Sequence, residues 1–195
     1  MDSSEYIALI KTVEPHRNEL VDLDGELVPK SVVMLMSALA AEQDRTVRFQ
    51  IYTTAILHCS SADRKVVAVK LAHAQYQEFH DIVSLVAYSD ALAENGEVEA
   101  GVSRAKEALE LAIQQQTVVN YAAENLVRQA IKTRSVEVVN EALDELADST
   151  NVPREGDCAL EADWVDAAEA LGADPEMISW GRKIAERRPI VTRRG

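Results

Sequence analysis

His80 and Asp81, adjacent in the chain, are the first place where side-chain chemistry could concentrate. A neutral imidazole beside a carboxylate can share a divalent metal ion. A second reading needs no metal. The pair is followed by the apolar run "IVSLV" with no glycine to form a loop, and Asp81 is placed to accept from the first free amides of a helix opening at Ile82. This cap is the preferred role for Asp81. His73 and His80 lie seven residues apart, two helical turns if one helix runs through both, too far to hold one ion without help from other segments.

The pair His80 and Asp81 resembles that of an HD-type metal-dependent phosphohydrolase, which is the enzymatic alternative; the resemblance implies another His upstream and an Asp downstream, parts in which His58 and Asp144 could be cast, and a metal-activated water that attacks a phosphate ester. Other catalytic signatures are missing from the sequence. It has no Glu-x-x-His pair for a di-iron bundle, no Gly-rich phosphate loop and no Gly-x-Ser-x-Gly elbow. Cys59 and Cys158 stand far apart with no metal-binding spacing around them, and read as reduced thiols in a cytoplasmic protein. The preferred reading therefore has no catalytic residue, no metal and no cofactor.

The elements that would position any such groups are helical. Of 195 residues, 47% are hydrophobic, 27% charged and only 5% aromatic, so a core must be built mainly from Ala, Val, Leu and Ile. Pro29 opens one helix, Asp44 caps a second from Arg45 to about His58, and Ser60 with Asp63 has the spacing of a capping box for a third. Between Asp63 and Glu94 there is neither Gly nor Pro, so that span reads as one long helix or as two broken at His80 and Asp81. Helices over about 97–116, 117–133 and 135–148 follow. A linker at 151–160 carries Pro153 and Gly156, and a final pair over about 161–171 and 175–188 carries Trp164 and Trp180, with Asp174 capping its second member. The expected fold is all-α, eight to ten helices, with a helical-hairpin domain over 1–150 and a basic tail over 189–195.

A period of 34 residues separates the Glu-Ala-Leu triplets at 107–109 and 141–143. Over 82–115, Leu85, Tyr88 and Leu92 supply large apolar positions, Gly96 a turn, Gly101 a small-residue position, and Ala108, Leu109 and Leu111 the close of a second helix. In these positions the stretch resembles a tetratricopeptide repeat. Residues 116–149 follow in register with Ala130 and Ser135 at the turn and small-residue positions, and 48–81 through Ala55, Leu71 and Ala74. Ser89 stands in place of a glycine, Ala105 in place of a larger residue, and the Trp and Pro of the pattern are missing. The alternative architecture is an irregular helical bundle. Gly101, Ala105 and Ala108 share one helix face, and the expectation is that they interlock with the stripe Leu85, Tyr88 and Leu92.

The resemblance implies a concave surface that binds another protein without catalysis, as an adaptor, scaffold or assembly chaperone. Asp90 on one inner helix, with Asn120, Glu124 and Arg128 at i, i+4 and i+8 on another, are the candidate partner contacts. A net charge of −13 favours a basic or amphipathic partner segment and argues against nucleic acid as the main ligand. Charge is uneven, however. Residues 135–181 hold 13 acids against Arg154 alone, whereas Arg182, Lys183, Arg187, Arg188, Arg193 and Arg194 crowd the last fourteen positions. Nucleic-acid contact through that basic end is the other alternative. No segment reaches the ~20 apolar residues of a membrane span, so no membrane partner is expected.

Overall fold

The computed structural model describes residues 1–149 and 162–186. They are all-α apart from one small hairpin, and the chain divides into two compact units, Met1–Gly96 and Glu97–Gly195. In the first unit α1 (Ser3–Val13) leads through a short 3-10 turn, Glu14–His16, into β1 (Leu20–Leu23) and β2 (Glu26–Pro29). The helices α2 (Lys30–Ala41), α3 (Arg45–Ser61), α4 (Lys65–Phe79) and α5 (Ile82–Glu94) follow. The second unit holds α6 (Val98–Gln115), α7 (Val119–Thr133), α8 (Val136–Ser149), α9 (Ala162–Leu171) and α10 (Pro175–Glu186). Among the described residues no helix is long and apolar enough to cross a membrane.

Short-range capping chemistry sets the starts of α3, α5 and α10, whereas α2, α4, α6 and α7 start without a side-chain cap. Asp44 accepts from the amides of Thr46 and Val47 at 2.8 and 3.0 Å, and Asp174 from that of Glu176 at 2.8 Å. Asp81 accepts from the amide of Ser84 at 2.8 Å while His80 turns into the left-handed region at φ 52°, so the span after Asp63 is two helices. Ser60 and Asp63 form no capping box, which corrects the sequence expectation. Ser60 lies inside α3. The amides of Asp63 and Arg64 reach back to the carbonyls of Ser60 and Cys59 at 3.2 and 2.8 Å, with Asp63 at φ 56°. These bonds make a Schellman end for α3, one turn beyond the expected stop at His58.

The hairpin is a second departure. Asp24 and Gly25, at φ 54° and 86°, make the two-residue turn that brings Val21 opposite Val28 and Asp22 opposite Leu27. Val28 sinks into the core of the first unit with Val13, Val32, Leu35, Val47, Ile51 and Phe79. At about 1.5–3 kcal/mol for each large apolar side chain buried, this cluster is the main stabilising element there. The ring of Phe79 meets those of Phe49 and Tyr52 edge-on at centroid distances of 5.1 and 6.3 Å. Polar ties cross the same helices. Arg48 of α3 clasps the Glu78 carboxylate of α4 at 2.5 and 2.8 Å, and donates to the Leu39 and Glu42 carbonyls at the end of α2.

Within the units α3 packs on α4, α4 on α5, α6 on α7 and α7 on α8, while α9 and α10 lean on α7 and α8. Tyr88 stacks beside His73 of α4 at 5.0 Å. Gly101, Ala105 and Ala108 are all buried, and within the second unit α7 is the helix packed on theirs. The division of the chain thus falls at Gly96, in the turn of the stretch that resembles a single repeat. The 151–160 linker lies outside the described residues.

Candidate functional site

Helices α3 and α5 flank α4, joined to it by turns of only three residues, Ala62–Arg64, and two, His80–Asp81. Turns this short make antiparallel neighbours, so α3 and α5 run in the same direction with a groove between them. Thr53, Ile56, Leu57 and Ser60 line it from α3, and Ala87, Asp90, Ala91 and Glu94 from α5. Both sets recur at i, i+3, i+4 and i+7, one face of each helix over two turns. Ile56, Leu57, Ala87 and Ala91 make the groove apolar, and Leu57 is 58% exposed.

Charge is confined to one side and one end. Asp90 and Glu94 lie one turn apart on α5 and place two carboxylates on this side of the groove. Ser60 and Glu94 also sit at the C-terminal ends of α3 and α5, where the partial negative charge of the helix dipoles accumulates. Thr53 at the other end is held in place by Gln75 of α4, a fully buried amide whose Nε2 donates to Thr53 Oγ1 at 3.1 Å and to the Phe49 carbonyl at 3.3 Å.

The groove measures about 170 Å³. Small-molecule sites commonly enclose ~300–1,000 Å³, so this one suits a side chain or two rather than a free metabolite. A shallow depression on α6, edged by Glu99, Lys106, Glu107 and Glu110, has walls from one helix only.

Asp90 is thus part of the groove, in the first unit. The other expected contacts stand on α7 in the second: Glu124 and Arg128 are half-buried, and the side chain of Asn120 lies outside the described residues. Asp90 is the only residue of the groove lining that the repeat resemblance singled out; Ile56, Leu57 and Glu94 are among those it missed. A signal for them exists. The core face of α3 is Val47, Ile51, Tyr52, Ala55 and Cys59, so Leu57 is a large apolar residue outside it, and Ile56 packs only partly buried at its edge.

Two of the residues cast as metal ligands, Asp81 and His58, are engaged in other roles. Asp81 caps α5. The ring of His58 is 96% buried, with Nδ1 2.9 Å from Ser31 Oγ and Nε2 3.1 Å from the Glu14 carboxylate, and burial lowers its pKa against the pull of Glu14. A Ser–His–Glu chain resembles hydrolytic machinery, but Ser31 is fully buried and no substrate carbonyl can reach its hydroxyl. The three side chains instead tie the 3-10 turn and the start of α2 to α3. Asp144 is exposed on α8 in the second unit, and among the described residues no group of three or more His, Cys, Asp or Glu could hold a metal ion. Cys59 is buried in the core, its thiol pushed up to about 12 by desolvation. At the basic end Arg182 reaches Asp166 at 3.0 Å and also pairs with Glu169, both on α9, while Lys183 is exposed. Arg187, Arg188, Arg193 and Arg194 lie outside the described residues.

Comparison of the chain with protein-family models, with curated proteins and with solved structures returns no significant match.

Proposed function

We propose that this chain is a non-catalytic protein-interaction module, an adaptor or scaffold built from short helical hairpins, that binds a basic or amphipathic segment of another protein. The observation that carries this reading is the groove between α3 and α5. It is the size of a side chain, apolar along its length, and marked by two carboxylates one turn apart. Apolar contacts supply affinity in such a groove, and the carboxylates select the sign of the partner's charge. The net charge of −13 extends that preference to long range and speeds encounter with basic segments at low salt.

Selection from a random peptide display library on the immobilised full chain tests the reading. Enrichment of peptides that combine aliphatic residues with Lys or Arg is the expected result. A library that yields no enriched peptide, or only acidic ones, overturns it.

A further inference from the structure

We infer that the occupant of the α3–α5 groove is a helix of a partner protein presenting an aliphatic side chain and, one turn away, a Lys or Arg. This deepens the interaction reading above and rests on it. Size is the first argument. At ~30 Å³ for each water of the liquid, a groove of about 170 Å³ holds the equivalent of five or six waters, room for one or two aliphatic side chains. Leu57, Ile56 and Ala91 would then surround an apolar group, and burial of Leu57, now 58% exposed, adds to the gain.

The backbone supplies the second argument. Up to the last turn of α5 the groove walls offer side chains only, because the amides at 53–60 and 87–94 and the carbonyls before that turn lie within helices and are committed to helical bonds. An extended peptide laid there would find no ladder to join. A helix brings its own backbone bonds and needs none from the groove. Its apolar residue would enter between the two i, i+3, i+4, i+7 faces, as a knob does between helices of a bundle.

Charge fixes the register. Asp90 and Glu94 are spaced like the i and i+4 positions of the incoming helix, and the C-terminal ends of α3 and α5 add to the negative potential at the Glu94 end. A cation one turn from the aliphatic residue meets these carboxylates while the aliphatic residue meets Leu57. Specificity thus comes from spacing, beyond the general attraction of an acidic protein for bases.

The test uses the full chain and a fluorescein-labelled 16-residue alanine-based helical peptide carrying Leu and Lys at i and i+4. A control peptide of the same composition has that spacing scrambled. The phased peptide is expected to bind at least tenfold more tightly than the scrambled one. Leu57→Glu and Glu94→Gln should each weaken binding by at least tenfold without shifting the thermal melt. Ile7→Glu, an exposed apolar position on α1, is the control and should leave the affinity unchanged. Equal binding of the two peptides, or full affinity in the groove variants, overturns the inference. Library-selected peptides that bind wild type and groove variants alike would remove the groove while leaving the interaction reading in place. An empty library selection removes both.

Discussion

The two units bury different kinds of side chain. The first packs large residues, with Leu35 and Ile51 fully buried and Phe79 meeting two further rings. The second, though it fully buries Leu126 and Leu143, is richer in small ones: Ala105, Ala108, Ala112, Ala122, Ala123, Ala130 and Ala168 are all at 0% exposure, against Ala55 and Ala72 in the first. Both phenylalanines lie in the first unit and both tryptophans in the second. Large side chains let helices stand apart and leave grooves between alternate members, whereas alanine faces bring backbones close and fill the space with the helices themselves. That contrast matches the placement of the candidate site in the first unit. It also says that the units should fail in opposite ways, one by loss of volume and the other by its addition.

Phe79→Ala should have the largest effect. Removal of a buried phenylalanine costs ~3–5 kcal/mol, and here it also removes two edge-on ring contacts and the ring beneath Arg45, 5.2 Å from its guanidinium carbon. Far-UV circular dichroism in urea measures the loss, while tryptophan fluorescence follows the second unit alone. A fluorescence midpoint that falls as far as the dichroism midpoint would show that the two units melt together, and would break the comparison.

The opposite change belongs to the second unit. Gly101→Leu should destabilise by about 1–3 kcal/mol through overpacking of a buried helix face, with the fluorescence midpoint as readout. Gly101→Ala serves as reference, since helix propensity alone favours alanine by ~0.5–1 kcal/mol. A leucine variant as stable as the alanine one would show that the face has room to spare.

Turn strain provides a smaller test. Between α6 and α7 the chain passes through Val118 at φ 46°, a left-handed conformation in a β-branched residue that is 45% exposed. That geometry costs an L-residue about 1–2 kcal/mol, and asparagine tolerates it. Val118→Asn should therefore raise the fluorescence midpoint, by up to about 1 kcal/mol once the lost contacts of the valine are counted. A lowered midpoint would mean that the valine methyls contribute more than the strain costs.

The smallest expected effect is on pH dependence, and it too separates the units, because all four histidines lie in the first. The pKa of His58 is lowered by burial, with Arg17 acting in the same direction and Glu14 opposing. Below its unfolded value of 6.5 the unfolded chain takes up a proton that the folded chain resists, so stability falls as pH falls through this window. Between pH 7.5 and 5.5 the dichroism midpoint should decline, and His58→Gln should flatten the slope. An equal slope in the variant would assign the effect to other groups. At lower pH the carboxylate of Glu78, held below its ordinary range by the Arg48 guanidinium, loses its contribution as it is protonated.

How much of this was legible depends on the distance over which each feature is decided. Asp44, Asp81 and Asp174 could be read as caps because a cap bonds to amides two or three residues ahead. The same logic allowed a break at His80 but did not choose it over one continuous helix, because the choice rests on His80 entering the left-handed region. The hairpin was legible too, since Asp-Gly between short runs of alternating polarity is a local turn signal. It went unread because helical periodicity dominates the rest of the chain. Ser60 with Asp63 misled for a related reason: the spacing of a helix start also occurs at a helix end, and the Schellman bonds to Ser60 and Cys59 that choose between them depend on Asp63 entering the left-handed region.

The sequence by itself determined the helices, their caps and turns, the small-residue face of α6 and the acidic balance, all properties of neighbours along the chain. The tertiary structure decided which face of each helix meets which. Leu57 and Asp90 are 33 positions apart, and nothing in either local sequence states that α4 will hold α3 and α5 side by side with these residues across a groove. The buried Ser31–His58–Glu14 bridge has the same origin. Side chains from three separate segments meet because the core formed by Val13, Val32, Ile51 and Phe79 draws those segments together, and burial of that apolar area is a nonlocal term that no window of sequence contains.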